Sequence, residues 1–249
     1  MLAQERQAEI IRYVTTHGAA STTELMDALK ASSATIRRDL DKLSQTGKVT
    51  RVHGGVVAQD QSLVSSDQNL GERKIQNVQA KRAIAAYAAR LIKPGDFVFI
   101  DAGTTTEELV DLVEEHGAHY VTNSLPHAQR LIARGFRTFM PAGEIKPATL
   151  ALVGEETIRS LSRYHFTIGF WGTNGIGTEN GLTTPEFAEA AVKELTIRQT
   201  KHPYALCDRT KFSKVSLVTF AAFDDVTVIC DGTPGGTYDK KSNVTVVRV

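Results

Sequence analysis

The stretch FVFIDAGTTTEEL, residues 97–109, places an acid, a glycine and three consecutive threonines directly behind four apolar residues. A strand ending in Asp101, a sharp turn allowed by Gly103 and a helix opening near Glu107 would gather three things: backbone N–H groups, the hydroxyls of Thr104, Thr105 and Thr106, and the positive end of a helix macrodipole. That combination binds anions, and a phosphate ester suits it. One threonine suffices to cap a helix, so three in a row favour a cradle over a cap. A second cluster, SSATIRRDL at residues 32–40, sets Ser33 and Thr35 at the start of an amphipathic pattern and Arg37 and Arg38 in its second turn. A guanidinium presents a planar fork of donors that fits phosphate oxygens or a guanine edge.

The flanking pattern says what would position each cluster. Ile36, Leu40 and Leu43 recur at i, i+4 and i+7, which buries one face of a helix and leaves Arg37, Arg38 and Asp41 on the others. Upstream, Ile10, Ile11 and Val14 form an apolar stripe that stops at His17-Gly18. Thr22 or Thr23 is placed to cap a helix carrying Leu25, Met26 and Leu29. KVTRVHGGVV then reads as two short strands turning at Gly54-Gly55. Residues 1–57 therefore read as a winged helix-turn-helix, whose third helix enters a DNA major groove. Ser33 and Thr35 are short donors at its start, Arg37 and Arg38 reach bases or backbone, Lys48 meets phosphate, and Arg51 and His53 lie on the wing.

Residues 58–71 are polar and unpatterned, a linker. Across 72–249, apolar strand candidates at 97–100, 120–121, 136–140, 166–170, 204–207 and 226–230 alternate with helical patterns. This is the signature of an α/β domain with a doubly wound, mostly parallel sheet. Such sheets bind ligands beyond the carboxyl ends of their strands. Several polar groups fall there: Thr122, Asn123 and Ser124 after the second strand, Gly143 and Glu144 after the third, Asn174 in GFWGTNGIG, and Lys211 in CDRTKF. Lys193 is either a ligand contact or part of a solvated helix face.

The charge of the whole chain is only +1, yet residues 30–55 hold six basic side chains (Lys30, Arg37, Arg38, Lys42, Lys48, Arg51) against Asp39 and Asp41. A localised basic patch is the footprint of a polyanion. Cys207 and Cys230 sit in apolar runs without metal-ligand spacing, so they read as buried strand positions, and no metal or cofactor is expected. No apolar run is long enough for a membrane span and the N-terminus lacks a signal-peptide pattern, so a cytoplasmic protein is expected.

Residues 24–57 resemble the DNA-binding signature of the DeoR family of bacterial transcriptional regulators, a TIRRDL recognition helix followed by an R-x-H-G-G wing. Both halves stand here, as Thr35 to Leu40 and Arg51 to Gly55. DAGTTT, TNSL, GTNGI, GLTTPEFAEAAVK and DRTKF are similar to the sensor domain of the same family. The resemblance implies a sensor fold like that of ribose-5-phosphate isomerases, a phosphorylated sugar as effector, double-stranded operator DNA as partner and a repressor of carbohydrate genes. A small helix-turn-helix needs a second copy to read spaced half-sites, so a homodimer or homotetramer is expected. The rival reading is a phosphosugar isomerase carrying a DNA-binding domain. Isomerisation needs a carboxylate base, and those isomerases carry an acid-rich turn where this chain has Gly172 to Ile176. Glu144, Glu179 and Glu186 remain candidates, each without a paired acid. Binding without catalysis is therefore expected. After Asp231 the chain departs from the family pattern in the glycine-rich GTPGGTYDKKSNVTVVRV, which leaves the edge of the sheet open.

Overall fold

The computed structural model describes residues 3–17, 19–46, 49–52, 55–58, 63–64, 70–233, 235, 238 and 241–248. The chain divides between residues 61 and 62 into two units.

In the first unit, α1 (Ala3–His17), α2 (Thr22–Leu29) and α3 (Ser33–Gln45) accompany β1 (Ala19–Ser21), β2 (Val49–Val52) and β3 (Gly55–Ala58). Ile10, Val14, Leu25, Ile36, Leu40, Leu43, Val49 and Val56 form its buried core, so the stripe of α3 faces inward as its spacing requires. Two features differ from the sequence reading. The wing has a third strand, because β1 pairs antiparallel with β3. The cap of α2 is Ser21, not Thr22 or Thr23: its hydroxyl accepts from Glu24 N–H at 3.1 Å while the Glu24 carboxylate accepts from Ser21 N–H at 2.7 Å. Asp39, on the same helix as the arginines, is buried and accepts from Arg6 Nε at 2.6 Å and Gln7 Nε2 at 2.8 Å, which joins α3 to α1.

The second unit contains β4 (Leu63–Val64), α4 (Leu70–Ile75), α5 (Val78–Ala89), β5 (Phe97–Ile100), α6 (Thr104–Leu112), β6 (His119–Thr122), α7 (Leu125–Ala133), β7 (Arg137–Phe139), β8 (Glu144–Lys146), β9 (Ala151–Val153) and α8 (Glu155–Leu161). It continues with β10 (Phe166–Gly172), β11 (Gly175–Gly177), β12 (Gly181–Thr184), α9 (Phe187–Arg198), β13 (Thr200–Cys207), β14 (Val215–Ser216), β15 (Val218–Ala221), β16 (Thr227–Cys230) and β17 (Val244–Val246). Seven strands form one sheet in the order β17-β16-β13-β10-β5-β6-β7, and every pairing in it is parallel. The edge left open by the sequence is β17, paired with β16. The segment read as a linker is partly built in, since Leu63–Val64 pairs with β14 and α4 starts at Leu70.

Successive residues of each strand serve opposite faces. Val98, Ile100, Tyr120, Phe170, Leu206 and Ile229 pack against α5, α6 and α7. Phe99, Val121, Trp171, Ala205 and Val228 pack against α8 and α9. Cys207 and Cys230 are free, buried register partners on the second face. From β5 the chain runs outward through β6 and β7, then returns to β10 on the other side of β5 and continues to β17. The order therefore reverses between β5 and β10, and the strand ends there diverge to leave a crevice.

The small core of the first unit leaves little room for repacking. Leu40→Ala should cost it about 2–5 kcal/mol. Denaturant unfolding followed by a probe in that unit checks this, and a loss below about 1 kcal/mol would show that the helix does not depend on the stripe.

Candidate functional site

Ser32 begins α3: its hydroxyl accepts from Thr35 N–H at 3.3 Å and lies 2.9 Å from the Thr35 hydroxyl. Thr35 is thus engaged in the cap, and Ser33 follows in the first turn. Arg37 and Arg38 are exposed on the faces opposite Ile36 and Leu40. Lys48 and His53 lie outside the described residues, and Arg51 is described as a backbone position of β2 only.

At the switch point of the large sheet, a crevice is lined by groups from five separate stretches. Gly103, Thr104 and Thr105 come from the start of α6, and Gly172, Thr173 and Asn174 from the end of β10. Glu189 and Lys193 come from α9, Asp208 and Lys211 follow β13, and Arg73 and Lys81 come from α4 and α5. Lys193 is 4% exposed and its ammonium donates to the Asp101 carboxylate and to Gly172 O at 3.3 Å. Gly172 N–H in turn donates to Asp101 at 3.2 Å. Burial pushes the Asp101 carboxyl upward, with the Lys193 ammonium beside it opposing. Lys81 and Lys211 are both lowered, first by burial, while Asp208 holds them up. Glu189 accepts from Lys146 at 3.1 Å and from Thr149 at 3.0 Å.

Of the residues singled out from the sequence for an effector, Gly103, Thr104, Thr105, Asn174, Lys193 and Lys211 line this crevice. The others take supporting places. Asp101 lies beneath the floor and holds Lys193. Thr106 is turned inward, donating to Asp101 O at 2.6 Å and Gly103 O at 2.9 Å. The reason is that α6 begins at Thr104, so the threonines occupy its first turn and point in different directions. Asn123 accepts from Ala102 N–H at 3.0 Å and donates to Leu152 O at 3.4 Å, which braces the loop. Thr122 accepts from Ser124 N–H, and Ser124 caps α7. Gly143 has φ +138°, and a Cβ there would lie 1.8 Å from Thr157 Oγ1. Glycine is kept at 143 for packing. Glu144 is exposed on β8 and does not reach the crevice. Gly103 itself has an extended φ of −179°, so its turn needs no left-handed backbone.

Arg73, Lys81, Thr173 and Glu189 escaped the sequence reading. Lys81 left a signal there: it stands three, four and seven residues before Ile84, Ala85 and Ala88, a cation inside an apolar stripe. Arg73 left none, because only the fold brings α4 to the crevice.

The DeoR-like helix-turn-helix domain matches residues 6–62, and the DeoR C terminal sensor domain matches residues 76–232. The chain belongs to the DeoR family. It is a DNA-binding transcriptional regulator with a sensor domain. It is 36% identical over 250 residues to an uncharacterized HTH-type transcriptional regulator FruR of Bacillus subtilis, covering 100% of this chain and 99% of that one. It is 37% identical to the HTH-type transcriptional regulator GlpR of Haloferax volcanii, covering 94% and 91%. It is 30% identical to a lactose phosphotransferase system repressor of Streptococcus mutans, covering 92% of each. Ribose 5-phosphate isomerase A of Methanocaldococcus jannaschii aligns over 55% of each chain at 14% identity with a TM-score of 0.41, too loose a likeness to carry an argument. No helix among the described residues is long and apolar enough to cross a membrane, and no group of three metal-ligating side chains occurs among them.

Arg37→Ala and Arg38→Ala should each weaken operator binding by about 1–3 kcal/mol where the contact is bidentate to a base. Gel-shift titration decides, and parent-like affinity in both variants would remove α3 from the interface. A second expectation concerns His127, which is buried beside Gly103, bonded to its backbone, with Nδ1 unpartnered. Burial, aided by Arg130, pushes it down to about 3 from 6.5. A depressed histidine contributes stability that is complete above about pH 6.5 and is lost as pH falls toward 3. Between pH 7 and 5 this one group should cost the sensor unit about 2 kcal/mol. His127→Gln should flatten that part of a stability–pH curve, and an unchanged slope would assign the acid sensitivity elsewhere.

Proposed function

We propose that this regulator is a cytoplasmic repressor of carbohydrate genes, acting as a homodimer or homotetramer and released from its operator by a phosphorylated sugar held in the crevice. The charge of the crevice wall carries this reading. Asp101 offsets Lys193, and Lys146 offsets Glu189. That leaves Lys81 and Lys211 against Asp208, a surplus of one positive charge (two less one) beside the Arg73 guanidinium. A phosphate monoester carries about −1.5 to −2 at neutral pH. The start of α6 adds N–H groups and the Thr104 and Thr105 hydroxyls for its oxygens. Thr173, Asn174 and Glu189 offer hydrogen bonds suited to sugar hydroxyls. The name of the lactose phosphotransferase system repressor is in keeping with a carbohydrate signal.

The site is one of binding without turnover. Each carboxylate at the crevice is already occupied: Asp101 by Lys193, Glu189 by Lys146 and Thr149, and Asp208 by Thr210 N–H at 3.0 Å and the Thr210 hydroxyl. The turn after β10 offers Thr173 and Asn174, neither of which can take a proton from carbon.

Fructose 1-phosphate, fructose 6-phosphate and ribose 5-phosphate, each beside its unphosphorylated parent sugar, form the test panel. At about 100 times its dissociation constant, a matching phosphate should stabilise the sensor unit by roughly 2.7 kcal/mol and raise its melting temperature. The parent sugar should leave it unchanged. Thr105→Val removes one hydrogen bond to a charged group and should weaken binding by about 1.5–3 kcal/mol, with operator affinity retained. Linkage requires operator DNA to weaken sugar-phosphate binding by the factor that the sugar phosphate weakens operator binding. Parent sugars binding as tightly as their phosphates would overturn the anion reading, and steady isomer formation would overturn binding without turnover.

A further inference from the structure

We infer that Lys81 is the residue through which the crevice reads its anion, and that it passes the bound state to α4, the helix by which the chain from the DNA-binding unit enters the sensor. This rests on the phosphorylated ligand argued above and adds a route for its effect.

Lys81 is 4% exposed and lines the crevice with its ammonium, which donates to the backbone carbonyl of Arg73. An ammonium carries three donors. The charged groups around this one are Asp208 and Glu108 on one side of the balance and Lys211 and Arg73 on the other. Burial weighs first against this ammonium and Asp208 answers only part of that cost, so a dianion beside it lowers what remains. The crevice thus presents Lys81 as a partner waiting for charge, already tied to α4.

Polar ties hold α4 to the sensor unit, and its Ile75 is 79% exposed. Lys74 donates to Glu107 at 2.9 Å, and Glu107 also meets Arg130 at 2.7 Å, which joins α4 to α6 and α7. Arg73 supplies its guanidinium to the crevice and its carbonyl to Lys81. The preceding strand, β4, pairs with β14, which starts four residues beyond Lys211. Both elements by which the chain enters the sensor unit therefore adjoin a cation of the crevice. An anion bridging Lys81, Arg73 and Lys211 draws α4 onto α5 and β14, and so constrains the segment leading to residues 1–61.

Hydrogen exchange of the full-length protein over residues 70–76, with and without fructose 1-phosphate, fructose 6-phosphate, ribose 5-phosphate or inorganic phosphate, tests this. A probe that raises the melting temperature of the parent should also slow exchange across 70–76 by tenfold or more. Lys81→Met should weaken that probe at least tenfold and, when saturated, should leave exchange at 70–76 fast. Lys211→Met should weaken it as well, yet slow exchange at 70–76 once saturated. Melting of each variant without probe confirms that it folds, and Lys81→Arg, which keeps the charge, should recover part of the affinity. Parent-like affinity in Lys81→Met would overturn the role of Lys81. Weakened affinity with exchange at 70–76 still slowed at saturation would overturn the transmission to α4. Either result leaves the phosphosugar reading standing. If no probe binds the parent protein, that reading fails and this inference with it.

Discussion

The buried ion pair between Asp101 and Lys193 is the contact around which the sensor unit is organised. Its members come from the end of β5 and the middle of α9, and both also bond to Gly172 at the end of β10. Three elements far apart in sequence are thereby held at the point where the strand order reverses. Taking two charges out of water is costly, and a buried pair often stabilises no more than apolar residues would. Removing one partner, however, leaves an uncompensated charge and costs about 3–5 kcal/mol. The pair is thus poor glue and a strong constraint. The Lys193 ammonium also lies 5.4 Å from the centre of the Phe220 ring, a further contact that orients it.

That constraint decides what the crevice can bind. Because Asp101 neutralises Lys193, the positive surplus falls to Lys81 and Lys211. The floor is rigid, made of strand ends and a helix start braced by Asn123 and Thr106. The charged walls come from α4, α5 and the turn after β13. Floor and walls thus belong to different elements, which suits a receptor whose ligand must change the conformation of what surrounds it.

The DNA-binding unit solves a simpler problem. One apolar stripe on α3 and an ion pair from the buried Asp39 to Arg6 set the helix, which leaves Arg37 and Arg38 facing outward. Arg37 and Arg38 are exposed because Ile36, Leu40 and Leu43 turn another side of the helix inward.

Local pattern was therefore enough for α3, its core face and its exposed arginines, since helical periodicity is written in adjacent residues. The same holds for the alternation of strand and helix and for the parallel sheet. It did not place individual side chains. Thr104, Thr105 and Thr106 look alike in sequence, yet only the helix register turns Thr106 inward. Asn123, Ser124 and Gly143 have the residue types of a binding loop and are consumed by bracing, capping and close packing. Arg73 stands in a polar stretch with nothing to mark it, and Lys81 is marked only by its place in an apolar stripe. Which polar group faces a ligand depends on what lies across from it, and for Asn123 and Asp101 those neighbours are 21 and 92 residues away along the chain. Sequence alone determined the units and the chemistry they share, while the assignment of each residue to floor, brace or wall came from long-range packing.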